Sequence, residues 1–161
     1  MRDLALPLGL VAVILALAGC AERVTTGTAA PGPDTPATRM TEQDYEKLMK
    51  QIGPTYQSLR KQLQGGDTSG AATDAQNLAE LFGGVEKFWT EYEREDAVKW
   101  AAQARTHASD AAGAAAAGNA EKAASSAENM GGACKQCHGA YRESDGDGGY
   151  RIKPGVLAAP R

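Results

Sequence analysis

Five consecutive residues, Cys134-Lys135-Gln136-Cys137-His138, constrain this chain more than any other stretch. C-x-x-C-H is the string through which c-type haem is covalently attached. Its spacing has a chemical basis. On a helix the two thiols lie within one turn and reach the two vinyl groups of one porphyrin, while the adjacent imidazole binds the iron as proximal ligand. Both sulfurs then end as thioethers, and Lys135 and Gln136 face solvent. A redox or zinc pair shares the C-x-x-C spacing, but a thioredoxin-like motif opens a helix after a strand, and this one sits near the end of an alanine-rich helical stretch. A structural zinc needs a second ligand pair, and the chain has only three cysteines and two histidines. The string therefore predicts one covalent haem c held by Cys134 and Cys137, with His138 on the iron.

The third cysteine, Cys20, closes a different element. Arg2 is followed by an apolar run from Leu4 to Ala18, too short for a comfortable membrane span and the size of a signal h-region. Leu17-Ala18-Gly19-Cys20 resembles a bacterial lipobox. That resemblance implies a signal peptide over 1–19, cleavage before Cys20, and acyl chains on Cys20 that anchor the chain to a membrane. The alternative is an uncleaved anchor helix. On either reading the folded part is exported to the periplasm, and Ala21 after the cysteine favours the outer membrane by the family rule.

A composition of 42 % hydrophobic residues with a formal charge of −3 describes a mildly acidic globule with no basic field to attract nucleic acid. Residues 20–40, rich in Thr, Ala, Pro and Gly, read as a flexible tether. Residues 41–143 form the expected domain, and 144–161 an irregular tail.

Within the domain, Thr41 and Asp44 form a helix N-cap, and Tyr45, Met49, Ile52, Tyr56, Leu59 and Leu63 recur at steps of four and three. Pro54 removes one N–H from this stripe, which predicts a kink rather than two helices. Gly65-Gly66-Asp67 is a turn. Ala71, Ala75, Leu78, Phe82, Val85 and Trp89 renew the stripe, with Gly83-Gly84 weakening its middle. A third helix is expected from about Glu93 to Ala117 and a fourth from Ala120 to about Glu143, parted by Gly118 as stop and Asn119 as N-cap. No segment sustains period-two alternation, so the fold class is all-α, an antiparallel four-helix bundle. The last two helices carry Ala where a bundle usually places Leu. Small side chains leave either very close helix contact or space that a porphyrin fills, although Ala also serves helix propensity on exposed faces.

A bundle with a single C-x-x-C-H on its last helix, followed by Gly139-Ala140-Tyr141-Arg142, resembles cytochrome c prime and its low-spin relatives, the class II c-type cytochromes. The likeness extends to Lys47-Leu48-Met49-Lys50-Gln51-Ile52-Gly53, similar to the segment facing the distal side of the haem in that family. It covers about residues 41–143. The short loop between helices two and three and the extra tail depart from the pattern. No Met follows His138, which excludes the commoner class I arrangement.

Any sixth iron ligand must therefore come from upstream. Met130 lies eight residues before His138 on the same helix, about 12 Å along its axis, and cannot cross to the opposite haem face. Met40 precedes the first helix. His107, one heptad after Trp100, is a second candidate, with solvation as the ordinary fate of a lone helical His. Met49 lies on the first stripe with Gly53 one turn later, and the resemblance implies that low-spin members place their methionine ligand there; a plain core Met is the alternative.

Tyr141 and Arg142 follow His138 by three and four residues on the same helix face, beside the macrocycle. Arg142 is expected to pair with a haem propionate, its alternative being a solvated base favoured by the helix dipole. Glu143-Ser144-Asp145-Gly146-Asp147-Gly148 opens like a calcium loop, but Pro154 stands where the bidentate Glu belongs, so it reads as an acidic turn. A haem without adjacent acid–base machinery points to a one-electron carrier serving redox partner proteins, not an enzyme. If Met49 only lines the pocket, the iron is five-coordinate and takes nitric oxide or carbon monoxide. A peroxidase lacks a distal His–Arg pair. A homodimer is left open.

Overall fold

The computed structural model describes residues 39–158; Cys20, the apolar run and most of the tether lie outside them. Four helices follow in order, α1 (Glu42–Gly65), α2 (Thr68–Glu91), α3 (Glu95–Ala116) and α4 (Ala120–Tyr141), then two strands, β1 (Arg142–Ser144) and β2 (Tyr150–Ile152). Consecutive helices pack side by side, as their short connections require. Among the described residues no helix is long and apolar enough to cross a membrane.

Local chemistry sets the boundaries. The Thr41 hydroxyl oxygen accepts from the Asp44 backbone N–H at 3.2 Å, and the Asp44 carboxylate accepts from the Thr41 N–H at 3.2 Å, which closes a capping box. From there α1 runs unbroken through Pro54. Gly66 ends it in the left-handed region at φ 78°, and the Asp67 carboxylate caps α2 through the Gly70 N–H at 2.9 Å. Gly118, at φ 73°, and Asn119, accepting from the Lys122 N–H at 2.9 Å, separate α3 from α4.

Bulky core side chains come chiefly from α1 and α2, among them Leu59, Leu78, Phe82, Phe88 and Trp89. Every buried residue of α3 is an alanine. Methyl groups are all that α3 itself buries, and it lies tightly against α2 and α4, so these alanines are core residues and not only a propensity choice. One flank differs. Between α1 and α4 the packing is far sparser than along the other three flanks.

The segment from 144 onward, expected to be irregular, forms a hairpin. β1 and β2 pair antiparallel with Arg142 opposite Ile152. Its turn is held by Asp145, whose Oδ1 accepts from the Asp147 and Gly149 N–H groups, both at 2.9 Å, while Gly146 and Gly148 supply φ 91° and 88°. The acidic cluster thus spends a carboxylate on its own backbone. The end of β2 and the residues beyond it fasten one end of the bundle. Ile152 is buried and its N–H donates to Glu42 Oε1 at 3.2 Å. Lys153 Nζ donates to the last carbonyls of α4, Gly139 at 2.9 Å and Ala140 at 2.7 Å. The Arg94 guanidinium grips the carbonyls of Val156 and Ala158.

Candidate functional site

The sparse flank and the C-x-x-C-H string coincide. An apolar pocket in the bundle takes wall residues from all four helices: Tyr45, Met49 and Ile52 from α1, Phe82 and Val85 from α2, Trp100, Ala101 and Ala104 from α3, and Ala133, Cys134, Cys137 and His138 from α4. The cavity it encloses is small, about 40 Å3, and opens to solvent. Helical spacing explains the α4 contribution. Cys134 and Cys137, three apart, and His138, four from Cys134, fall on one face. Across the pocket, Met49 lies one turn from both Tyr45 and Ile52, and all three line the wall.

A side-chain hydrogen bond crosses the flank: the Tyr56 hydroxyl donates to the Ala127 carbonyl at 3.0 Å. Nearer the start of α1 the buried Tyr45 ring packs on Phe88 and Trp89, and burial raises its hydroxyl well above the ordinary tyrosine range. Met49, Cys134 and His138 are half-buried. Beside them Gly53 faces open space.

Burial in this apolar wall acts on each titratable group in the same sense, towards the neutral form. It pushes the Cys134 thiol up to about 11 and the Cys137 thiol up to about 12, so both are protonated at neutral pH. Burial, assisted by the Arg142 guanidinium, pulls the His138 imidazole below its usual value. A neutral imidazole is the form that ligates a metal. Among the described residues no three His, Cys, Asp or Glu side chains gather as a metal site. Haem iron takes its equatorial ligands from the porphyrin, so one imidazole and one thioether suffice. Two free thiols on one helix face, a neutral imidazole beside them, a methionine opposite and an apolar wall fit a c-type haem.

The remaining candidates fall elsewhere. Met130 is fully buried in the core, and Met40 is pinned ahead of α1, its N–H donating to Glu91 Oε2 at 2.6 Å. His107, half-buried on α3, does not line the pocket. Tyr141 and Arg142 do not line it either: Tyr141 is the last residue of α4, and Arg142 continues in extended backbone, near enough to His138 to help hold the imidazole below its usual value. Arg142 is exposed and lies over the Tyr150 ring at 4.1 Å, a cation–π contact. Tyr141 instead donates its hydroxyl hydrogen to Asp96 at 2.5 Å and leans on Trp89 with ring centroids 4.9 Å apart. Trp100 and the Tyr45 hydroxyl are the contributions sequence reasoning missed. The half-exposed indole at one heptad from His107 marked the face, but not which of the two residues the pocket uses.

No family model, no curated protein and no solved structure matches the chain.

Proposed function

We propose that the chain is a mono-haem c-type cytochrome of the class II kind, a one-electron carrier tethered to a membrane through Cys20 and serving redox partner proteins in the periplasm. The observation that carries this reading is the convergence of Cys134, Cys137, His138 and Met49 on one apolar pocket at the sparsest flank of a four-helix bundle. Haem c bound there supplies an iron that changes oxidation state by one electron. Cys134 and Cys137 offer protonated thiols for thioether formation, and His138 offers a neutral nitrogen from the same helix face. Met49 offers a thioether sulfur from the opposite wall. His/Met ligation raises the reduction potential. Ile52, Phe82 and Val85 exclude water and hold the wall still, which would keep His138 and Met49 in place around a bound haem.

Expression with haem-maturation machinery, followed by haem staining of a denaturing gel, tests attachment. Wild type is expected to stain, and the double substitution Cys134→Ala, Cys137→Ala to lose all stain. Retained stain in the double variant sinks the attachment site. Mass spectrometry of the mature N-terminus tests the anchor, with acylated Cys20 expected and an intact Met1 contradicting it.

A further inference from the structure

Beside the pocket lies an aromatic cluster that the proposed electron carrier does not use. Trp89 and Trp100 are the only tryptophans of the chain. Trp100 lines the pocket, and the Tyr141 ring lies between the two indoles, 6.2 Å from Trp100 and 4.9 Å from Trp89 by ring centroids. We propose that Trp100, Trp89 and Tyr141, with the Asp96 carboxylate, form a one-electron relay that draws an oxidising equivalent out of the pocket and holds it on Tyr141.

The chemistry turns on where protons can go. A phenol that loses an electron becomes a strong acid, so its radical persists only where a base stands ready. Tyr141 has that base, its hydroxyl donating to Asp96 Oδ1 at 2.5 Å. Tyr45 also touches Trp89, with ring centroids 5.3 Å apart, but its hydroxyl is buried and donates to no carboxylate among the described residues. The Trp89 N–H is fully buried and has no hydrogen-bond partner among the described residues. An indole radical cation there keeps its proton and its driving force, and passes the hole onward.

The step balances. A strong one-electron oxidant, such as a radical derived from peroxide, takes one electron from an indole and leaves as its reduced anion. One electron then moves from Tyr141 to the indole radical cation and restores it. The phenolic proton moves to Asp96, leaving a neutral phenoxyl radical beside a neutral carboxylic acid. The value of the relay as protection for a haem rests on the function proposed above; the transfer itself requires no haem.

Azidyl radicals, which oxidise tryptophan, provide the test on the full chain, with haem staining of the same sample recorded separately so that failure of one reading is not mistaken for failure of the other. Transient absorption is expected to show indolyl decay matched by phenoxyl growth, at a rate independent of protein concentration and slowed in deuterated water. Tyr141→Phe, which keeps the ring and its stacking, should lose the phenoxyl growth and lengthen the indolyl lifetime. Asp96→Asn keeps Tyr141 but should lose the solvent isotope effect together with most of the growth. Phenoxyl growth in Tyr141→Phe equal to wild type, or transfer that scales with concentration, overturns the relay. An unchanged isotope effect in Asp96→Asn removes Asp96 as the proton acceptor.

Discussion

Tyr56 of α1 reaches across to α4 and hydrogen-bonds the Ala127 carbonyl directly over Gly131, so closely that a Cβ at 131 would lie 2.5 Å from the phenolic oxygen. The adjacent Gly132 faces open space. Two glycines in one helical turn therefore predict different outcomes. Gly132→Ala should stabilise the bundle by about 0.5–1 kcal/mol, the usual gain in a helix interior. Gly131→Ala gains the same propensity but displaces the phenol and forfeits a hydrogen bond of about 0.5–1.5 kcal/mol, leaving stability unchanged or lower. Urea denaturation of the two variants reads the difference.

Met49→Leu tests the wall opposite His138. The change conserves volume and polarity, so the fold should lose no more than about 1.5 kcal/mol. With haem bound as proposed, the optical spectrum should nevertheless change from low-spin to high-spin, lose its sulfur-to-iron charge-transfer band, and respond to carbon monoxide. A wild-type protein that is already high-spin and takes the gas as readily as the variant makes Met49 a wall residue and the chain a gas binder.

For chain produced without attached haem, the buried thiols set an alkaline limit. Their values are raised from 9.0 to about 11 and 12, so the folded state holds these protons more tightly than the unfolded state does. Stability from this source is intact below pH 9.0 and is lost as pH climbs towards about 12. Iodoacetamide should label Cys134 and Cys137 slowly at neutral pH and readily once urea unfolds the bundle. Fast labelling of the folded chain would contradict the placement of Cys137 in the core and of Cys134 in its half-buried wall.

At the acid end the capping box at the start of α1 acts in the reverse sense. Hydrogen bonds from the Thr41 hydroxyl, from Lys47 and from the Thr41 backbone lower Asp44 from 3.8 to about 2. A depressed carboxyl stabilises the fold above its unfolded value and withdraws that support as pH falls through about 2. Asp44→Ala should flatten this acid limb in a circular-dichroism titration while leaving the alkaline limb in place.

Much of this fold is legible in the chain because helices announce themselves locally. Tyr45, Ile52 and Leu59 on α1, and Ala71 through Trp89 on α2, fall on their stripes and are buried. Thr41, Gly118 and Asn119 mark the ends by capping chemistry. Strands of three residues are too short to display alternation, so the hairpin around Asp145 stays hidden, and with it the grip of Lys153 on α4. Gly84 reads as a weak point in a helix, yet a Cβ there would approach Leu48 Cδ1 to 3.1 Å, so its bareness is what admits α1. Arg142 departs from its expected place because the spacing rule holds only while the helix lasts, and α4 stops one residue earlier. Tyr141–Asp96 and Tyr56–Ala127 join residues far apart in the chain, which no local pattern encodes.

A bundle with three stiff flanks and one slack one has a preferred direction of give. Loosening between α1 and α4 parts Tyr56 from Ala127 while the alanine-lined contacts of α3 stay closed. The spine of such an object is the α2–α3 pair, and its expected opening is like that of a book, along the edge that carries the cysteines. Amide exchange should rank the helices accordingly, with α2 and α3 exchanging only on global unfolding and the amides of α1 released earlier in a partial opening. Insertion of a flat ring, were haem bound as proposed, would ask one page to turn and leave the binding of the volume intact.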